Sequence, residues 1–152
     1  MSDKPTIYVS SKPEHVAMWR WYRRLGQPII SSWIDLEGVI DRDTIGRRYW
    51  PVWIEEARIA DYLVFYAVPT DKNHNSCLLE IGACLAGGGT IIHVGVSDSM
   101  KTLDGELADF TSHPKWHRLT ELDAAFQMIK LGPAGSAAGS LAQPDAPLDR
   151  QS

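Results

Sequence analysis

One acidic side chain stands alone in the most apolar helix-like stretch of this chain. The segment Asn73-His74-Asn75-Ser76-Cys77-Leu78-Leu79-Glu80-Ile81-Gly82-Ala83-Cys84-Leu85-Ala86-Gly87-Gly88-Gly89 runs from a polar loop into a helix whose one charge is Glu80, within its first turn or so. A helix entrance favours an anion through its free N–H groups and its dipole, which helps keep such a carboxylate ionised and nucleophilic. Burial beside Leu78, Leu79 and Ile81 pushes the other way. Further polar groups follow short β-like runs: Ser10 after the first, Asp35 and Glu37 after the second, and the loop with Asp71, His74 and Asn75 before the helix.

The elements that must position these groups alternate. Thr6–Ser10 is a β-branched and aromatic strand, and Ser10 or Ser11 can cap the helix that follows, with Pro13 in its first turn and Met18, Trp19, Tyr22 and Leu25 along its apolar stripe. Pro28–Ile34 reads as a second strand, and Val39–Arg48 as an irregular connection. Tyr49–Ala60 forms a helix with Pro51 near its start and Trp53, Ala57 and Ala60 on one face. Tyr62–Val68 and Thr90–Val96 are continuous apolar runs, the pattern of strands covered on both faces. Trp116–Leu119 is a short edge strand, and Thr120-Glu121-Leu122-Asp123 reads as a capping box opening a last helix.

Strands and helices in this order imply βαβ units and a parallel sheet whose ligand crevice lies beyond the carboxyl ends of the strands. Ser10, Asp35, Glu37, the 69–75 loop and Glu80 all fall there. Residues 1–131 make one domain. From Gly132 the composition turns to Gly, Ala, Ser, Pro, Gln and Asp, so 132–152 is expected to be a disordered tail.

Composition narrows the function classes. The 152 residues are 44% hydrophobic and 22% charged, near the soluble globular average. A net charge of −4 argues against general nucleic-acid binding. No apolar run approaches the roughly 20 residues of a membrane span, and no signal peptide is visible, so a cytoplasmic location is the expectation. Cys77 and Cys84, seven residues apart on one helix, cannot pair with each other. His15, His74, His93, His113 and His117 are scattered, and Pro114 breaks the one helical spacing among them, so no metal site and no cofactor are expected.

Thr6-Ile7-Tyr8, Ala60-Asp61-Tyr62-Leu63-Val64 and Leu79-Glu80-Ile81-Gly82-Ala83-Cys84-Leu85-Ala86-Gly87 together resemble the nucleoside 2-deoxyribosyltransferases and their nucleotide hydrolase relatives, over roughly residues 5–130. The resemblance implies a flavodoxin-like (Rossmann-like) three-layer α/β sandwich with a mostly parallel five-stranded sheet. It implies a homo-oligomer acting on a small nucleoside or nucleotide, with neither nucleic acid nor membrane as partner. Glu80 would attack C1′, the base would leave, and the glycosyl-enzyme ester would pass to another base or to water, the logic of a retaining glycosidase. Tyr8 would orient Glu80. The family's loop commonly carries an aspartate that reads or protonates the base; here His74 stands nearest, a general acid near neutral pH, with Asp71 a little earlier. Ser10, Asp35, Glu37, Asn75 and the aromatics Trp33, Trp50 and Trp53 are candidates for sugar contacts and base stacking. Gly88-Gly89 stands where the family often has Gly-Lys. A non-catalytic nucleotide-binding or sensing module of the same fold, and a Toll/interleukin receptor-like NAD glycohydrolase, remain as alternatives.

Overall fold

The computed structural model describes residues 4–139, of which 133–139 by backbone alone. Four strands, β1 (Ile7–Ser10), β2 (Tyr62–Ala67), β3 (Thr90–Gly95) and β4 (Trp116–Leu119), pair in that order, all parallel. The inner strands are largely apolar because both faces are covered: Leu63, Val64, Phe65, Ile91 and Ile92 are all fully buried, as is the one histidine between them, His93. Alternation along each strand divides the core. Ile7, Val9, Tyr62, Val64, Ile92 and Val94 face Trp19 and Tyr22 of α1 (Val16–Arg24) and Phe126 and Ile129 of α5 (Leu122–Gly139). Tyr8, Leu63, Phe65 and Ile91 face α3 (Trp50–Ile59) and α4 (Asn75–Ala86) through Ala57, Cys77, Ile81 and Cys84. The two cysteines are free and buried. This is the expected three-layer, flavodoxin-like α/β architecture.

The sheet has four strands where five were expected. Of the Pro28–Ile34 run, only Ile29 bridges to Ile7, with Ile7 N–H donating to the Pro28 carbonyl at 3.0 Å and Ile30 N–H to the Ile7 carbonyl at 2.9 Å. The next donor in that ladder, Val9 N–H, goes to the buried Ser31 Oγ at 2.7 Å. A hydroxyl therefore ends the pairing, and the chain turns through a 3₁₀ turn at Ser32–Asp35. With Ile29 counted in the place of the lost strand, the order is that of a doubly wound sheet with its switch point between β1 and β2, where ligand crevices form.

Two local expectations also change. Neither Ser10 nor Ser11 caps the first helix: a 3₁₀ turn at Pro13–His15 precedes α1, Ser11 Oγ accepts the Trp19 indole N–H at 2.8 Å, and Ser10 turns inward. The 39–48 connection is helical over its second half. Asp41 Oδ1 caps a single turn, α2 (Arg42–Thr44), by accepting Thr44 N–H at 2.9 Å, and a π turn, Ile45–Tyr49, then leads into α3. Trp50 N–H bonds the Ile45 carbonyl, five residues back and just before Pro51. A widened turn at that point accommodates a ring that has no N–H and would crowd the preceding carbonyls. The segment expected as a tail begins at Gly132 (φ 69°), which interrupts α5 ahead of Pro133, and the backbone from there to Gly139 is helical. The rest of that tail, 140–152, lies outside the described residues.

α4 is seated tightly on its neighbours. A Cβ at Gly87 would lie 1.9 Å from the Arg58 carbonyl oxygen, and one at Gly89 would lie 2.4 Å from Cys84 Sγ, so both positions require glycine. Lys115 Nζ donates to the Gly88 carbonyl at 2.7 Å, which places a lysine on the turn from the β4 side. Among the described residues no helix is long and apolar enough to cross a membrane.

Candidate active site

Glu80 is buried because of its position on α4. Cys77, Ile81 and Cys84 form the helix's sheet-facing stripe, and Glu80 lies on it, three residues after Cys77 and four before Cys84. Only 6% of its surface is exposed, whereas Leu78 and Leu79, which the sequence suggested as its neighbours, are 37% and 61% exposed. Both carboxylate oxygens are met by hydroxyls from β1. Tyr8 Oη donates to Oε1 at 2.8 Å, and Ser10 Oγ donates to Oε2. Tyr8 and Ser10 are two apart on β1, so both point to the α3–α4 face and form a two-point clamp.

The electrostatics correct one expectation. Glu80 is the sixth residue of α4, past the first turn where the helix dipole acts. Burial pushes its pKa up to about 7; the Ser10 and Tyr8 hydrogen bonds pull it down, and the nearby Glu56 charge pushes it up. Desolvation thus outweighs the stabilising contacts, and the carboxyl titrates near neutrality. Tyr8 is driven far above the ordinary phenol range, first by burial and then by the Glu80 charge and hydrogen bond, so it remains a donor. Cys77 beside them is pushed up to about 11, chiefly by burial, and stays a thiol.

The other sequence candidates are dispersed. His74 is buried rather than exposed, its Nε2 2.9 Å from Ser97 Oγ and its Nδ1 without a partner among the described residues. Burial lowers its pKa, and its edge packs on Phe65 at 5.3 Å. Asp71 accepts Val68 N–H at 3.0 Å and contacts His15 Nε2 at 3.0 Å; burial works to raise its pKa, but these donors outweigh it and hold the carboxyl low. Asn75 is the exposed first residue of α4, its N–H bonded to Asn73 Oδ1 at 3.2 Å. Asp35 is engaged by Arg23 through two bonds of 2.8 and 2.5 Å, on an exposed surface, and Glu37 is exposed. Trp53 is buried and stacks on Tyr49 at 5.8 Å, with Trp50 edge-on at 5.3 Å. Trp33 donates its indole N–H to the Val9 carbonyl at 2.7 Å.

Sequence reading missed two residues near Glu80. Glu56 lies on α3 one turn after Trp53, and its charge raises both Tyr8 and Glu80. Its place on the edge of the Trp53–Ala57–Ala60 stripe was the signal available. Lys12, two residues past Ser10, donates to the Asn73 carbonyl at 3.1 Å and ties the loop after β1 to the loop before α4.

Neither of two surface cavities is lined by Glu80. One, of 350 Å³, lies at the opposite end of the sheet between Lys4, Leu25, Pro28 and Lys130. Another, of 250 Å³, is bounded by His74, Asn75, Ser99 and Phe110. Among the described residues no group of three or more His, Cys, Asp or Glu side chains could hold a metal ion.

A parallel, doubly wound α/β sheet with a clamped carboxylate at its switch point defines the class. Two solved structures share this fold. A 2-deoxyribosyltransferase from Bacillus psychrosaccharolyticus superposes with a TM-score of 0.51 at 16% identity, covering 80% of this chain and 90% of that one. One from Leishmania mexicana superposes with a TM-score of 0.52 at 16% identity, covering 83% and 97%. No protein-family model and no curated protein matches the sequence. The resemblance seen in the sequence therefore holds at the level of the fold.

Proposed function

We propose that this chain is an enzyme that breaks the N-glycosidic bond of a nucleoside or nucleotide, by transfer or hydrolysis, with Glu80 as nucleophile. The observation that carries the proposal is the buried Glu80 carboxyl, with Tyr8 on one oxygen and Ser10 on the other. Glu80 attacks C1′, the base departs with the bonding electrons, and the ester is resolved by an incoming base or water. Tyr8 fixes the orientation of the attacking carboxylate. Ser10 holds the second oxygen until the sugar arrives. The fold shared with two 2-deoxyribosyltransferases supports the same reading.

Base release and base exchange, followed chromatographically over deoxyribo-, ribo- and 5′-phosphorylated substrates with a free acceptor base, test the proposal. Glu80-dependent turnover is expected; equal, negligible release by wild type and Glu80→Ala rejects it. Nicotinamide release from a nicotinamide dinucleotide, assayed in parallel, separates the NAD glycohydrolase alternative.

A second reading is a module that binds nucleotides without turnover. It is favoured by the occupied state of both Glu80 oxygens and by a burial that raises the carboxyl pKa to about 7. Calorimetric binding with no base release would support it.

The resemblance also suggests a homo-oligomer. Val52 and Ile59 on α3 and Leu79 on α4 are 48%, 54% and 61% exposed, apolar surface of the kind an interface covers. Sedimentation of the purified chain tests this.

A further inference from the structure

Two loops meet at the switch point of the sheet, 11–15 after β1 and 68–74 between β2 and α4, and they are tied to each other twice. Lys12 Nζ donates to the Asn73 carbonyl at 3.1 Å, and His15 Nε2 lies 3.0 Å from Asp71 Oδ2 and 3.3 Å from Oδ1. Ser10, just ahead of the first loop, donates to Glu80 and also contacts Cys77, one turn earlier on α4. Lys12 reaches the residue that leads into the same helix. The chain from Ser10 to Lys12 therefore runs along α4 from Glu80 to the helix entrance, with the buried Cys77 between the two contacts.

The two loops are anchored unequally. Asp71 closes a turn on Val68, accepting Val68 N–H and donating its own N–H to the Val68 carbonyl, each at 3.0 Å. The loop after β3 braces that turn from behind, through Asp98 N–H to the Pro69 carbonyl at 3.5 Å and Ser99 Oγ to the Asp71 carbonyl at 3.4 Å. Asn73, the one residue other than glycine with positive φ (59°) among the described residues, accepts Asn75 N–H on Oδ1 and Lys12 on its carbonyl. The 11–15 loop has no such brace. Among the described residues its side chains make one other hydrogen bond to the rest of the chain, from the Trp19 indole to Ser11 Oγ, and its middle, Pro13 and Glu14, is exposed.

We propose that the 11–15 loop is a latched flap over the entrance of α4: the Lys12–Asn73 and His15–Asp71 ties hold it shut, and their release uncovers Cys77 and Glu80. Its service to catalysis rests on the reading of Glu80 as the nucleophile, whereas its opening does not. A sugar C1′ reacts only within about 3.5 Å of the attacking oxygen, and Glu80 is 6% exposed with the flap shut, so the flap swings out to admit the sugar. Once it closes again, it keeps bulk water from the glycosyl ester.

Cys77 reports on the flap without any substrate. The folded chain is labelled with N-ethylmaleimide, and cleavage after Glu80 separates Cys77 from Cys84 for mass spectrometry. Lys12→Met and Asp71→Asn are each expected to label Cys77 about tenfold faster than wild type, with Cys84 unchanged. That is the shift that losing one hydrogen bond to a charged group makes in a local opening equilibrium. The pair of variants also excludes a simple charge effect, because Lys12 lowers the Cys77 pKa and Asp71 raises it. Charge alone would speed labelling in Asp71→Asn and slow it in Lys12→Met, and that pattern overturns the proposal, as do unchanged rates. Equal acceleration at Cys77 and Cys84 reports a loosened fold and overturns it too. Should Asp71→Asn fail to fold, His15→Leu breaks the same tie from the other side. Base release, followed in parallel, keeps the two levels apart. If the wild type releases no base while both variants label Cys77 faster, the glycosyl-transfer reading fails and the flap stands. If the wild type turns over and Cys77 labelling does not respond, only the flap fails.

Discussion

Two groups of buried polar side chains sit on the α3–α4 side of this sheet, and they are satisfied differently. Around Glu80 both carboxylate oxygens have donors, yet burial still lifts the group to a pKa of about 7. Around Phe65, two histidines lie buried with a ring nitrogen each left unpartnered among the described residues, His74 Nδ1 and His93 Nε2. His93 accepts the Trp116 indole N–H at 3.3 Å, and burial, reinforced by Arg118 and His74, holds its pKa down to about 4. The first group is poised to change charge near neutrality. The second stays neutral there, its rings packed edge to face as core. Burial shifts both away from charge, but only Glu80 lands where an acid–base change is available to chemistry.

The sharpest way to break this contrast is to remove each charge-bearing group in turn. Glu80→Gln is expected to lower base release by at least about 10⁴-fold, the scale on which nucleophiles act, while raising stability at alkaline pH. The sign follows from linkage. Glu80 gives up its proton near 4.5 in the unfolded chain and near 7 in the fold, so the native state binds more protons between those values and stability falls as pH rises through them. The contribution is of order 3 kcal/mol at most, lost by about pH 8 and absent in the Gln variant. Urea unfolding at pH 5 and pH 8 measures it, and an equal pH dependence in both proteins would contradict the burial argument.

His93 gives the opposite slope. Its folded pKa lies below the ordinary 6.5, so stability is present above that value and is lost as pH falls toward about 4. His93→Gln is expected to flatten the acid side of the same urea series while leaving turnover within about threefold, as befits a core position. A steep loss of kcat in a folded His93→Gln would dissolve the distinction between the two groups.

Tyr8→Phe removes one of the two hydroxyls that pull the Glu80 pKa down. Activity is expected to fall about ten- to a hundredfold, and the acidic limb of the pH–rate profile to move to higher pH, in keeping with the loss of a hydrogen bond to a charged group. A limb that moved down would contradict the clamp. The smallest effect is expected at Asp35→Asn, which breaks an exposed pair with Arg23 and costs roughly 0–1 kcal/mol by thermal melting, with base release unchanged.

What could be read in advance follows the same division. β2, β3 and α4 were legible because, apart from His93 and Glu80, their buried residues are apolar, and that pattern survives any detail of packing. The fifth strand was not, because the Ser31 hydroxyl replaces a strand carbonyl at Val9, a long-range contact that no local pattern announces. The 39–48 segment hid a helix started by the Asp41 cap and widened ahead of Pro51. At the site, Glu80 stood out as the lone acid on an apolar helix, and its link to Tyr8, 72 residues away, came only through a resemblance. His74 read as a loop general acid, and its burial was not legible because it depends on Ser97 and Phe65, both distant in sequence. Glu56 was passed over because its neighbours Glu55 and Arg58 make an ordinary exposed pair on the same helix.

The proposed reaction requires Glu80 to form a covalent bond to the sugar. Incubation with a 2-fluoro-arabinosyl nucleoside, which slows breakdown of a glycosyl ester, followed by peptide mass spectrometry, tests it directly. The account predicts one sugar adduct on the peptide containing Glu80, absent from Glu80→Gln and displaced by added acceptor base. Turnover with an adduct on another residue, or turnover undiminished in Glu80→Gln, would contradict it.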